Sequence, residues 1–340
     1  MRLLVVLFAV LTASCTDPIP SSPPDGDIPP PDVPAVDPIV ITSGDGITVI
    51  SVTPVSDRTI DIQLSTPNIA EAATTHGNGI RVTLPPDYAT SGKRYPVIFD
   101  LHGAGGGSFL TAWDATVLES IVSGDAADVI VVVPDGGKNG WYTDWLDQTI
   151  AQNWETYHLT QLVPFIDRNL RTLGTREGRG IMGISMGGFG ATRYATDRPD
   201  LFGAMASRSG AIDLEHATIQ TAVIAPSILF GLPVFGAYGP YFGPYWPTVN
   251  PVRRASRLGT VATFIYIGAG TDIAEVIVRE ATLSMHRALD AAAVPHVFED
   301  YGVPGETPYG VCNGGHTYMC SVYAFAVGLP RVLGVLADPQ

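Results

Sequence analysis

The sequence predicts an α/β domain in which a doubly wound, mostly parallel sheet carries helices on both faces. Short apolar runs alternate with helix-length segments from about Ile39 onward, and no second linker divides them. The later runs are almost free of polar residues, as strands buried on both faces of a parallel sheet require. A serine between glycines, Gly183-Ile184-Ser185-Met186-Gly187-Gly188, then joins one such run to a helical stretch.

The elements follow in order. Ile47–Val52, Thr59–Leu64 and Gly79–Leu84 read as strands that enter the domain antiparallel. Tyr95–Leu101, Val129–Val133, Gly180–Ile184, Ala204–Ser207 and Val261–Ile267 read as the parallel core. Helices are expected within Trp154–Leu170, Gly187–Thr196, Ile273–Ala293 and Tyr318–Leu329, the first kinked by Pro164.

Composition narrows the function. With 340 residues and 46% hydrophobic side chains, the chain can bury a large core. A formal charge of -14 excludes a basic face for nucleic acid and argues against docking to anionic lipid by charge. Three cysteines are too few for a disulfide scaffold and lack the paired spacing of a zinc site.

The first fifteen residues have a basic start, an apolar run Leu3 to Leu11 and small residues before Cys15. These are the parts of a secretory signal, and the run is too short to span a bilayer. Leu-Thr-Ala-Ser-Cys also resembles the lipobox of bacterial lipoproteins, with Cys15 as the lipidated residue; an ordinary secretion signal is the alternative. Residues 16–38, rich in Pro, Asp and Ser, read as a tether, and residues 39–340 as a single catalytic domain.

The chemistry starts at Ser185. The G-x-S-x-G spacing between strand and helix is that of a nucleophile elbow, the hallmark of an α/β-hydrolase fold. A serine hydroxyl needs a base, and in this fold the acid and the histidine follow it in the chain. Of the later histidines, His286 is mid-helix and His296 opens an apolar run, whereas His316 lies in a glycine loop before the last helix. His316 is therefore the expected base. Asp272, at the end of the strand Val261–Ile267, is the expected acid, with Glu275 and Asp213 as fallbacks. The glycine run after Leu101 suits an oxyanion loop, with the backbone N–H groups of Ala104 and Met186 as its donors. No Gly-Lys-Ser/Thr follows that run, so nucleotide binding is not expected. No metal or cofactor is implied.

From about Ile80 the chain resembles the esterase D-type hydrolases and their relatives, the secreted antigen 85-type mycolyltransferases. The likeness rests on Arg81–Tyr88, Leu101-His102-Gly103, Trp141-Tyr142-Thr143-Asp144-Trp145, Trp154-Glu155-Thr156-Tyr157, the elbow and Gly314-Gly315-His316. It implies a triad of Ser185, an acid after a late strand, and His316, acting on an ester. The mycolyltransferases carry Asp-Gly-Leu-Arg where this chain has His102-Gly103-Ala104-Gly105, which favours water over trehalose as the acyl acceptor. Acyl transfer to a sugar or glycerol hydroxyl stays as the alternative, and a non-enzymatic envelope adhesin as a third. His102, Trp141 and Trp246 are the expected substrate contacts. The insertion Ile228–Pro247, crowded with aromatics, reads equally as a lid or as a satellite core. Lipidation of Cys15 leaves Cys312 and Cys320 as a pair bracketing His316, expected to form a disulfide in an oxidising compartment.

Overall fold

The computed structural model describes residues 39–105 and 107–340. The expected secretion signal, Cys15 and the tether lie outside the described residues.

Nine strands form one sheet: β1 (Thr48–Pro54), β2 (Thr59–Ser65), β3 (Gly79–Thr83), β4 (Val97–Leu101), β5 (Ile130–Pro134), β6 (Arg179–Ile184), β7 (Ala204–Arg208), β8 (Ala262–Gly268) and β9 (His296–Gly302). Their spatial order is β1-β2-β3-β5-β4-β6-β7-β8-β9. The first three pair antiparallel, as does β3 with β5, and the remaining pairs are parallel. From β4 the chain first steps outward to β5, then returns to the other side of β4 as β6. The strand order thus reverses between β4 and β6, where an open α/β sheet forms its crevice.

Strands β3 to β5 and β7 are buried at every residue, which explains their unbroken apolar runs. Alternate residues feed two cores. Val97, Phe99 and Leu101 pack on one face with the helices Ala217–Leu229 (α4) and Ile273–Ala291 (α5). Ile98 packs on the other with Ala115–Ile121 (α1) and Tyr318–Leu333 (α6). Helix α2 is composite: Trp154–Thr156, a wide-turned π segment Tyr157–Leu162, then Val163–Asn169. Pro164 lacks an N–H and crowds the carbonyl four residues earlier, so the irregularity falls in the turn before it. Helix α3 (Met186–Asp197) follows the elbow.

Five elements depart from the sequence expectation. Helices α1 and α4 lie in stretches where no helix was expected. Strand β9 is an edge strand with mixed burial, and its alternation is too weak to mark it. A small hairpin, β10 (Gly305–Thr307) with β11 (Gly310–Cys312), precedes α6. Among the described residues, no helix is long and apolar enough to cross a membrane.

Candidate active site

Ser185 joins β6 to α3 with φ 57° and ψ −118°. A non-glycine residue held at positive φ costs of order 1–3 kcal/mol, so its surroundings must enforce it. They do so through the backbone: the Ser185 N–H donates to Arg208 O at 3.1 Å, and its carbonyl accepts from Phe189 and Ala211 at 3.0 and 3.1 Å. The glycines exist because the turn is crowded. A Cβ on Gly187 would overlap the Leu101 carbonyl, one on Gly183 the Gly187 carbonyl, and one on Gly188 would lie 2.7 Å from Ser207 Oγ.

The serine faces a cavity at the β4–β6 crevice, lined among others by Gly103, Ala104, Trp113, His316 and Tyr318. His316 stands on the loop between β11 and α6, and Cys312 and Cys320 are disulfide-bonded across that loop with Cα atoms 4.7 Å apart. Its Nδ1 lies 3.0 Å from Glu275 Oε2. Glu275 is fully buried; its other oxygen accepts from Ser209 Oγ at 2.8 Å and from the Gly268 N–H at 3.0 Å. This fixes Nδ1 as the protonated nitrogen facing the carboxylate and leaves Nε2 to exchange a proton.

Asp272 was the expected partner of the imidazole, and the structure corrects that. It is the N-cap of α5: one oxygen accepts from Glu275 N at 2.9 Å and the other from the backbone N–H of His316 at 3.0 Å. Both oxygens are spent on backbone donors, and Glu275, one turn further in, reaches the ring. Asp-x-x-Glu at a helix start was the available signal, since it marks Asp272 as a cap. Asp213, the other fallback, is bonded to Asn250 and to the Glu215 N–H.

The loop after β4 presses against Ser185: a Cβ on Gly103 would lie 3.4 Å from Ser185 Cβ. His102 holds it. Its Nε2 accepts from the Gly136 N–H at 2.8 Å and its Nδ1–H donates to Gly103 O at 2.7 Å. Burial lowers its pKa to about 4, so the ring is neutral near pH 7, as an acceptor nitrogen requires. His102 lines the cavity, but both ring nitrogens serve the backbone.

Trp141 and Trp246, expected to touch substrate, do not line the cavity. Trp141 is buried against Phe189 and donates to Asn139 Oδ1 at 2.7 Å. Trp246 packs on Tyr238 and donates to Pro240 O at 2.8 Å. Among the described residues that line the cavity none belongs to the insertion, whose buried members Tyr238 and Trp246 join the main core. The aromatic element at Trp141 acts through its neighbour. Tyr142, held like Trp141 at positive φ, donates its hydroxyl to His102 O at 2.9 Å, and its ring occupies the space a Cβ on Gly136 or Gly190 would need.

Sequence reading missed one group. Asp100, fully buried, is ion-paired with Arg208 and accepts from Trp113 Nε1 at 2.8 Å. The guanidinium also lies 4.9 Å from the Phe325 ring centroid. The pair anchors the residue whose carbonyl receives the Ser185 N–H, and an aspartate inside an apolar strand was the signal for it.

Comparison with known proteins places the chain in a family and a fold. Residues 72–331 match the family described as Putative esterase. Esterase Rv1288 of Mycobacterium tuberculosis is 34% identical over 248 residues, covering 67% of this chain and 52% of that protein. The diacylglycerol acyltransferase/mycolyltransferase Ag85A of Mycobacterium leprae is 27% identical over 192 residues, covering 54% and 57%. The chain spans about half the length of these curated relatives. An S-formylglutathione hydrolase from Agrobacterium tumefaciens shares the fold with a TM-score of 0.63 at 16% identity, over 85% of this chain and 99% of that one.

Proposed function

The chain belongs to the Putative esterase family, and from that premise we propose that it is a serine carboxylic-ester hydrolase working through an acyl-enzyme on Ser185. The observation that carries the reading is a strained serine sharing one cavity with a histidine whose Nδ1 is held by a buried glutamate. Ser185 Oγ attacks the ester carbonyl while His316 Nε2 takes its proton. Glu275 stabilises the imidazolium, and the N–H groups of Ala104 and Met186 receive the developing oxyanion. Met186 suits that role as the first residue of α3, since its N–H has no partner within the helix. His316 then protonates the departing alcohol, and a water activated by the same ring releases the acid.

A fluorophosphonate probe tests this directly. One adduct on Ser185, absent in Ser185→Ala together with p-nitrophenyl ester hydrolysis, is the expected result; no adduct on the wild type overturns it.

The second reading, acyl transfer to a sugar or glycerol hydroxyl, is favoured by the relative named as an acyltransferase. Free acid as the sole product despite abundant acceptor decides for hydrolysis. We place the protein outside the cytoplasm, anchored through Cys15, on the strength of its leader sequence and the Cys312–Cys320 bond. Cys15→Ala is expected to move it from the membrane fraction to the soluble one.

A further inference from the structure

Two histidines that the catalytic reading leaves aside meet at the opposite end of α5. His286 lies in its last turns with Asp290 four residues on, and His296 opens β9. His286 Nδ1 is 2.8 Å from His296 Nε2; Asp290 carboxylate oxygens lie 3.6 Å from His286 Nε2 and 3.9 Å from His296 Nε2. One donor atom from each fits within a sphere 4.8 Å across.

We propose that His286, Asp290 and His296 form a binding site for a divalent transition-metal ion of the zinc type, clamping the end of α5 to the edge strand β9. Donors about 2.0–2.1 Å from a tetrahedral ion stand about 3.3 Å apart. Asp290 oxygens lie 3.6 Å from His286 Nε2 and 3.9 Å from His296 Nε2, and one donor atom from each residue lies within 4.8 Å of the others, within reach of that spacing by small side-chain rotations. The rings are already oriented. His296 Nδ1–H donates to Val294 O at 2.9 Å, which fixes the tautomer whose Nε2 lone pair faces the cluster. The His286 ring stacks on Phe298 at 4.2 Å and 13°. Two imidazoles and one carboxylate select zinc-like ions over calcium or magnesium, which take oxygen ligands. Asp290 is exposed, so the remaining coordination position opens to water. The site joins elements adjacent in sequence only through a short turn, and β9 has neighbours on one side alone. An ion there ties down the edge of the sheet.

The test is titration of the tag-free, full-length protein with ZnCl2 by calorimetry, with CaCl2 as the contrasting ion and thermal melting as a second readout. The expected result is one zinc equivalent, no calcium binding and a raised melting temperature. His286→Ala and Asp290→Asn, both at partly exposed positions, are each expected to weaken zinc binding at least tenfold while ester hydrolysis and circular dichroism stay at wild-type values. Absence of zinc binding, equal binding of calcium, or zinc affinity unchanged in both variants overturns the proposal. Unchanged esterase turnover in these variants keeps the result independent of the assignment of Ser185.

Discussion

Glu275 Oε2 lies 3.0 Å from His316 Nδ1, while Asp272, three residues earlier, holds the backbone N–H of the same histidine. One helix start therefore grips His316 twice, by its ring and by its main chain. The two carboxylates do different work, and substitution separates them.

Glu275→Gln keeps the shape but replaces the anion facing the imidazole. Loss of the equivalent carboxylate in a serine–histidine–aspartate triad costs about 10⁴ in kcat. A fall of about 10²–10⁴ in kcat is expected here, with KM little changed. Asp272→Asn keeps an N-cap acceptor but loses the one that holds the His316 N–H, and is expected to act chiefly on stability, by about 1 kcal/mol for that hydrogen bond. Steady-state kinetics and thermal melts of the two variants decide; equal kcat losses in both refute the division of labour.

How much of this was legible beforehand follows from what each residue is committed to. Ser185 and its glycines could be read because a strand, a strained turn and a helix each leave a local mark. His316 could be read because chain order left it in a glycine loop. In sequence Asp272 takes precedence over Glu275 because it stands at the strand end; the Asp-x-x-Glu spacing hints that Asp272 is a cap, and the fold shows which oxygens the backbone takes. The aromatic residues misled for a similar reason. Trp141 and Trp246 are conspicuous in sequence, yet ring size says nothing of direction, and both turn into the core. Strand β9 was marked only by the short apolar run that His296 opens, because an edge strand with one wet side alternates weakly.

The elbow gives a steric prediction. Gly187→Ala places a methyl group of α3 on the Leu101 carbonyl at the end of β4, which its ladder with β6 holds in place. Overpacking costs about 1–3 kcal/mol and occasionally more, and a clash with backbone falls at the upper end, so the variant is expected to melt well below the wild type. Gly259→Ala, where a Cβ meets no atom within 4 Å, is the control and should melt with the wild type.

The disulfide gives a second. Cys312 and Cys320 close a loop with a sequence separation of 8, and His316 sits midway along it. Chain-entropy arguments assign such a short loop roughly 2–3 kcal/mol. The Cys312→Ser/Cys320→Ser protein is expected to melt several degrees lower and to lose several-fold in kcat/KM at temperatures where it is still folded. A melting shift without any kinetic change would confine the bond to stability.

The last prediction concerns Asp135, at the end of the loop-bearing strand end where Gly136 meets His102. Its side chain is fully buried. One oxygen accepts from the Gly137 N–H at 2.7 Å, and the Phe109 N–H also faces the carboxylate. Burial pushes its pKa up to about 7, against 3.8 for the free side chain, with the backbone N–H bonds opposing the rise. The folded state therefore holds a proton that the unfolded chain releases between those two values. Stability from this group is full below about pH 3.8, declines as pH rises toward 7, and stays low above it. Asp135→Asn keeps an acceptor for the Gly137 N–H and carries no charge. It should match the wild type in acid and exceed it above pH 7, by about 1–4 kcal/mol. Urea unfolding of both proteins from pH 4 to 8 measures this. A stability difference that stays constant across that range would show that Asp135 does not titrate in the folded protein.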